Sequence, residues 1–181
     1  MSSDAKRIDP LEMTQAAACA ALLAVSAWVT VPLGPVPFTL QTLALAFVVV
    51  AMPGRVSVLA VACYVLLGGA GVPLFSGMRG GLGVLFGPTG GFILGFLLSA
   101  VVAAALRRVM GEGVVRDALT AALAILCSHA VGVLWLATVG GYGVATAFAV
   151  GSAPFLVLDA IKAAGGVALA KAVRAALPQM A

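Results

Sequence analysis

The sequence predicts an all-α integral membrane protein with six transmembrane helices and both termini cytoplasmic. Three observations predict it. First, 63% of the 181 residues are hydrophobic and only 9% are charged, with a mean hydropathy of +1.20. Soluble domains average roughly 25% charged residues, so this chain cannot cover a water-facing surface. Second, charge is absent over long runs, 13–54 and 119–158 among them. Third, eight of the ten Lys and Arg fall on one side of a six-helix topology: Lys6, Arg7, Arg55, Arg107, Arg108, Arg116, Lys171 and Arg174. The positive-inside rule makes that side cytoplasmic. No repeat or linker divides the chain, so residues 1–181 read as one membrane domain. The net charge of +4 reflects topology, and no basic run is interleaved with aromatics as a nucleic-acid surface would require.

Taken in order, residues 1–12 are short and polar. The apolar run after them is too long for a cleaved signal, so the first helix is expected to stay in the mature protein. The charge-free run 13–54 is twice the roughly 20 residues one span needs. Pro32, Gly34, Pro35 and Pro37 split it into helix 1, residues 14–31, and helix 2, residues 39–52. A Pro53-Gly54-Arg55 turn leads to helix 3, residues 56–67. Ten glycines and two prolines fall within residues 68–91. That is too Gly-rich for a helix and too apolar for a surface loop, so it reads as a re-entrant or capping loop. Helix 4 spans residues 90–106 and helix 5 residues 118–138. The last segment, 145–177, holds a short piece, a break at 152–154, and helix 6.

Asp159 and Lys162 stand out. They lie three residues apart and share a helix face inside an apolar segment. An ionisable side chain at membrane depth costs roughly 2.5–3.5 kcal/mol on the gentlest scale. They read as a ligand-binding pair in a pocket roughly 7 Å below the outer face, or as a structural ion pair that fixes helix packing. Gln41 and Thr39 start helix 2 on the same side, where Thr39 also suits a capping role. Arg79 is the one charge in the outer loops, placed to meet an anion or simply solvated. On helix 1, Ala16, Ala20 and Ala24 recur every four residues with Ala17 and Ala21 beside them. Such spacing permits close helix approach, internal or with a partner. Trp135 and Tyr142 read as interfacial anchors. Cys19, Cys63 and Cys127 have no metal or redox spacing and read as small buried hydrophobes. His129 has no second ligand or acidic neighbour in its segment, so no metal site is expected. With no GxxxxGK[ST], HExxH or Ser-His-Asp pattern, neither an ATPase nor another enzyme is expected.

Four stretches carry a resemblance: VPFTLQT at 36–42, GVPLFSG at 71–77, LFGPTGGF at 85–92, and Asp159-x-x-Lys162. Together they resemble the BioY family, the biotin-binding S components of energy-coupling-factor (ECF) vitamin importers. The likeness extends over nearly the whole chain. It implies a cytoplasmic (inner) membrane location and biotin held near the outer face by Asp159 and Lys162, with no cofactor. It also implies that the helix 1 alanines, Ala16 and Ala20, dock onto a transmembrane coupling subunit driven by a pair of cytoplasmic ATPases. The ligand's chemistry suits such a site. Asp159 can accept from ureido N–H groups, and Lys162 can donate to the ureido oxygen or neutralise Asp159. Phe38, Phe75 and Phe86 supply apolar walls, and the glycines of the loop, Gly77 and Gly80 among them, allow close backbone approach. On the residues alone, a proton-coupled secondary transporter and a structural subunit of a membrane complex remain open.

Overall fold

The computed structural model describes residues 9–176. Helix α1 is Pro10–Trp28, opened by Asp9, whose side chain accepts from the Leu11 N–H. Pro10 at the first helical position loses nothing, because that N–H would have no helical partner. The expected helix 1 stops three residues early. Val29, Thr30 and Val31 are β-branched and precede a Pro/Gly-rich stretch, which favours extended chain. Strand β1, Thr30–Val31, pairs antiparallel with β2, Phe38–Thr39, so the 32–37 segment is the tip of a small hairpin rather than a plain loop.

Helices α2 (Gln41–Ala51) and α3 (Gly54–Gly69) follow. The Gly-rich stretch holds one short helix, α4 (Leu82–Leu85), which the composition did not suggest. Its other ordered feature is a tight turn closed by Phe75 and Arg79, whose backbones exchange hydrogen bonds of 2.8 and 3.3 Å. Gly77 and Met78 sit at the turn with φ of +70° and +57°. Two successive positive φ values make the tight turn that glycine favours. The turn buries Phe75 completely and leaves Arg79 exposed. Helices α5 (Gly90–Val109) and α6 (Val114–Gly140) are each longer than expected. α6 begins inside the charged segment because Arg116 and Asp117 pair with each other (3.1 Å) and Asp117 also with Arg174. The last segment breaks as expected, into α7 (Val144–Gly151) and α8 (Leu156–Ala176), bent by 55°.

By length and composition, α1, α5 and α6 can each cross a membrane, and the bent α7–α8 pair can form a fourth span; α2 and α3 are shorter apolar helices. Exposed apolar side chains such as Leu66, Leu134, Val157 and Ile161 cover the outside, as a lipid-facing surface would require. Cross-helix polar contacts hold the bundle where the apolar solvent gives no hydrophobic drive. Ser99 Oγ of α5 donates to the Ala124 carbonyl of α6 at 2.5 Å. Arg107, in the last turn of α5, donates to the carbonyls of Val49, Val50 and Met52. It thereby satisfies the C-terminal carbonyls of α2 that have no helical donor.

Two expectations are corrected. Ala16 and Ala20 are buried, at 4% and 7% exposure, in the face that α1 turns to the bundle. They are internal packing residues and offer no partner a surface; the exposed alanines of the same helix are Ala17, Ala18 and Ala21. Cys63 is exposed on the outer face of α3 rather than buried.

Close approach of α2 and α8 positions everything that follows. A Cβ at Gly166 would lie 2.7 Å from the Leu43 carbonyl oxygen and 2.9 Å from the Ala46 Cβ. Gly166→Val must push the helices apart, and overpacking of this kind costs about 1–3 kcal/mol. The expected outcome is a lowered thermal unfolding midpoint in detergent. An unchanged midpoint would mean that α2 and α8 do not pack this closely.

Candidate functional site

Asp159 lies in the first turn of α8, just past the bend. A carboxylate is favoured there because the unpaired N–H groups of a helix start carry partial positive charge. Three side chains converge on it from other turns and helices. Lys162 Nζ, one turn on, is 2.5 Å from Oδ1. Thr42 Oγ1 of α2 donates to the same oxygen at 2.8 Å. His129 Nε2 of α6 is 3.0 Å from Oδ2. Asp159 is 4% exposed, Lys162 8% and His129 7%, so this is a desolvated cluster.

Lys162 is held on three sides. Besides Asp159, its Nζ donates to the Thr39 carbonyl at 2.7 Å and stands 4.0 Å from the centre of the Phe38 ring. Gln41 is buried at the start of α2, its Nε2 donating to Tyr64 Oη at 2.6 Å. Thr39 Oγ1 accepts from the Gln41 N–H and donates to Gln41 Oε1, but it is not the expected cap, since Leu40 holds the N-cap position of α2.

These groups face one cavity at the hairpin end of the bundle. Its polar wall is Asp159, Lys162, His129, Gln41 and Thr42; Phe38, Phe75, Phe92, Phe96 and Phe155 make most of its apolar wall. Its free volume is about 70 Å³. Two of its walls are the hairpin, through Val36, Pro37 and Phe38, and the Gly-rich loop, through Phe75 and Ser76. The two are tied together by Thr30 Oγ1 and Ser76 Oγ at 3.1 Å, and Trp28 Nε1 donates to the Pro73 carbonyl at 3.0 Å.

The cavity thus brings together Asp159, Lys162, Gln41, Thr39, Phe38 and Phe75. It does not include Gly77, Arg79, Gly80 or Phe86. Arg79 is exposed, donating to the Ser76 carbonyl at 3.1 Å, and Gly77 sits in the turn that points Arg79 outward. A Cβ at Gly80 would strike the Val72 carbonyl oxygen at 2.3 Å, so Gly80 serves packing within the loop. Phe86 is 65% exposed, its ring 6.5 Å from that of Trp135. Trp135 in turn donates to the Gly87 carbonyl at 3.0 Å, fastening the loop to α6.

Thr42 and His129 are site residues that sequence spacing missed. The one available signal was the chain's single histidine standing in the charge-free run 119–158, where a titratable group needs a partner. His129 Nδ1 also meets Ser152 Oγ at 2.5 Å, so a Ser-His-Asp line exists in space although no spacing announced it. Asp159 can only accept while ionised, so Nε2 carries the proton and Nδ1 receives the hydroxyl. Ser152 is fully buried and outside the cavity wall, so its Oγ faces no substrate and the line positions Asp159 instead. Among the described residues no group of three His, Cys, Asp or Glu could hold a metal.

What the arrangement offers a ligand can be counted. A carboxylate has about four acceptor sites and an ammonium three donors. Asp159 has three sites taken and Lys162 has two donors taken. The acceptor site left over lies on Oδ2, since Oδ1 takes both Lys162 and Thr42, and the third side of Lys162 Nζ faces the Phe38 ring.

Comparison with known proteins bears on family and fold. A family model described as the BioY family matches residues 2–179. A probable biotin transporter BioY of Pyrococcus horikoshii is 35% identical over 160 residues, covering 88% of this chain and 94% of that protein. The biotin transporter BioY of Rhizobium etli is 37% identical over 152 residues, covering 80% and 81%. The fold matches the crystal structure of the S-component for biotin from an ECF-type ABC transporter, with a TM-score of 0.83. That match covers 96% of this chain and 94% of the other at 20% identity. With a family match over almost its entire length and relatives aligned along most of theirs, this chain belongs to the BioY family.

Proposed function

We propose that this protein is the membrane-embedded biotin-binding subunit of an ECF-type importer. One observation carries the reading: a buried acceptor, Asp159, and a buried donor, Lys162, line one aromatic cavity together. A cyclic urea presents an N–H beside a C=O, the complementary edge. Asp159 accepts the ureido N–H, Lys162 donates to the ureido oxygen, and the phenylalanine rings pack on the fused apolar bicycle. Gln41 keeps one N–H free for a further polar group of the ligand. A fixed charge held by three donors suits binding better than the proton cycling of a secondary transporter. The names of the relatives support the same substrate.

The reading extends to topology and partners. α1, α2, α3, α5, α6 and the bent α7–α8 pair make six crossings of the cytoplasmic membrane, with both termini inside and the hairpin and Gly-rich loop outside. α2, about 16 Å long at 1.5 Å per residue, is too short for the roughly 30 Å hydrocarbon core, and the hairpin completes its crossing. The coupling subunit, itself driven by two cytoplasmic ATPases, packs on α1 through the exposed Ala17, Ala18 and Ala21.

Calorimetry on the detergent-purified chain should give one biotin per chain. Asp159→Asn should weaken binding at least tenfold, since a charge-assisted hydrogen bond contributes roughly 1.5–3 kcal/mol. His129→Gln, which keeps a donor for Asp159 Oδ2, should bind more tightly than His129→Phe, which does not. A chain that takes up no heat with biotin, or an Asp159→Asn variant with native affinity, would sink the substrate assignment.

For the partner, Ala17→Leu should abolish co-purification with the coupling subunit while biotin binding stays native. Ala16→Leu should instead lower the unfolding midpoint. Retention of the partner by Ala17→Leu would move the docking face off this stripe.

A further inference from the structure

α6 and α8 are joined at two places. At the cavity end His129 meets Asp159, and at the other end Asp117 meets Arg174. Between these junctions the helices leave a groove of about 610 Å³. Its walls are apolar, and Ala118 and Ala122 of α6 face Ala160, Ala164 and Ala168 of α8 across it. All five alanines are exposed, so the groove opens outward. Side chains ending at Cβ make it a channel along the helices rather than a socket for one large residue.

One cation lines it. Lys171, at the end away from the biotin cavity, is exposed and has no ion-pair partner among the described residues. It does not stand alone in sign. The α5–α6 connection and the last turns of α8 carry Arg107, Arg108, Arg116, Lys171 and Arg174 against Glu112 and Asp117. From Leu156 to Lys171 the α8 wall runs about 22 Å at 1.5 Å per residue. One leaflet of the hydrocarbon core is roughly 15 Å deep, so the groove reaches from a cationic mouth at the membrane surface past the mid-plane. An apolar channel of that length ending in excess positive charge is complementary to a single lipid: an acyl chain inside and an anionic phosphate at the mouth. A purely apolar partner helix would leave Lys171 without an anion.

We propose that the α6–α8 groove binds one anionic phospholipid, its acyl chain along the alanines and its phosphate on Lys171. The site is distinct from the biotin cavity and from the α1 face, since α1 packs on α2 and α3.

The test is native mass spectrometry of the full chain extracted from vesicles of equal parts phosphatidylglycerol and phosphatidylethanolamine. The wild type should retain one phosphatidylglycerol per chain, at least fivefold over phosphatidylethanolamine. Lys171→Glu should erase that preference. Ala164→Leu, which fills the channel, should lose the lipid of either kind, and Ala122→Leu tests the same channel from the other wall. Native biotin binding by each variant shows that it is folded, and a misfolded wall variant is replaced by the other. Retention of phosphatidylglycerol by a folded wall variant would overturn the proposal, as would equal retention of both lipids by the wild type. A lipid-free dimer mass that disappears in Ala164→Leu would assign the groove to a second copy of this chain instead.

Discussion

One buried carboxylate constrains the arrangement of three helices. Asp159 cannot stay ionised in an apolar bundle unless its charge is matched and its oxygens are occupied, because desolvation costs several kcal/mol. Lys162 supplies the charge from the same helix. The remaining hydrogen bonds come from Thr42 on α2 and His129 on α6. Both helices must therefore pass close to the start of α8. The absence of a side chain at Gly166 lets α2 do so, and the bend between α7 and α8 puts the positive end of a helix beside the carboxylate. Ser152, at that bend, fixes the imidazole that fixes Asp159.

The same constraint explains what could be read from the chain. Asp159 and Lys162 were legible because they are neighbours on one helix, and period alone brings them together. His129 and Thr42 lie 30 and 117 residues from Asp159, and only tertiary packing unites them. The helices were legible because apolar runs and breakers mark them, and the break at 152–154 appeared where Pro154 sits. The hairpin was not: two residues per strand are too few for an alternating pattern. The short α4 was hidden by Gly83 and the glycines that flank it. The alanines of α1 show a different limit. Four-residue spacing occurs on two faces at once, Ala16–Ala20 and Ala17–Ala21, and the spacing does not say which face turns inward. Phe86 and Phe75 stand in one Gly-rich loop, yet a single turn buries the latter and leaves the former outside.

Membership of the family and the shape of the site support each other without being the same observation. The relatives identify a lineage over the length of the chain. The cavity presents a chemistry, a buried carboxylate and ammonium in an aromatic enclosure. Arg79 and Phe86, expected to contact a ligand, are not part of the cavity wall, which is made by the bundle and the inner faces of the hairpin and loop.

The tie between hairpin and loop turns access into a matter of rates. Thr30 and Ser76 join the two halves of the roof, and Trp28 and Pro73 anchor it to the end of α1. A molecule that enters between hairpin and loop needs these contacts to part, and needs them to part again when it leaves. Encounter alone then does not set the association rate; the fraction of time the roof stands open multiplies it. Each 1.4 kcal/mol held in those roof contacts makes the open form roughly tenfold rarer. Because departure uses the same opening, a stronger roof lengthens residence as it slows capture, and the two changes offset each other in the equilibrium constant. Substitutions in this roof can therefore retune how long a molecule is kept without touching the residues that recognise it.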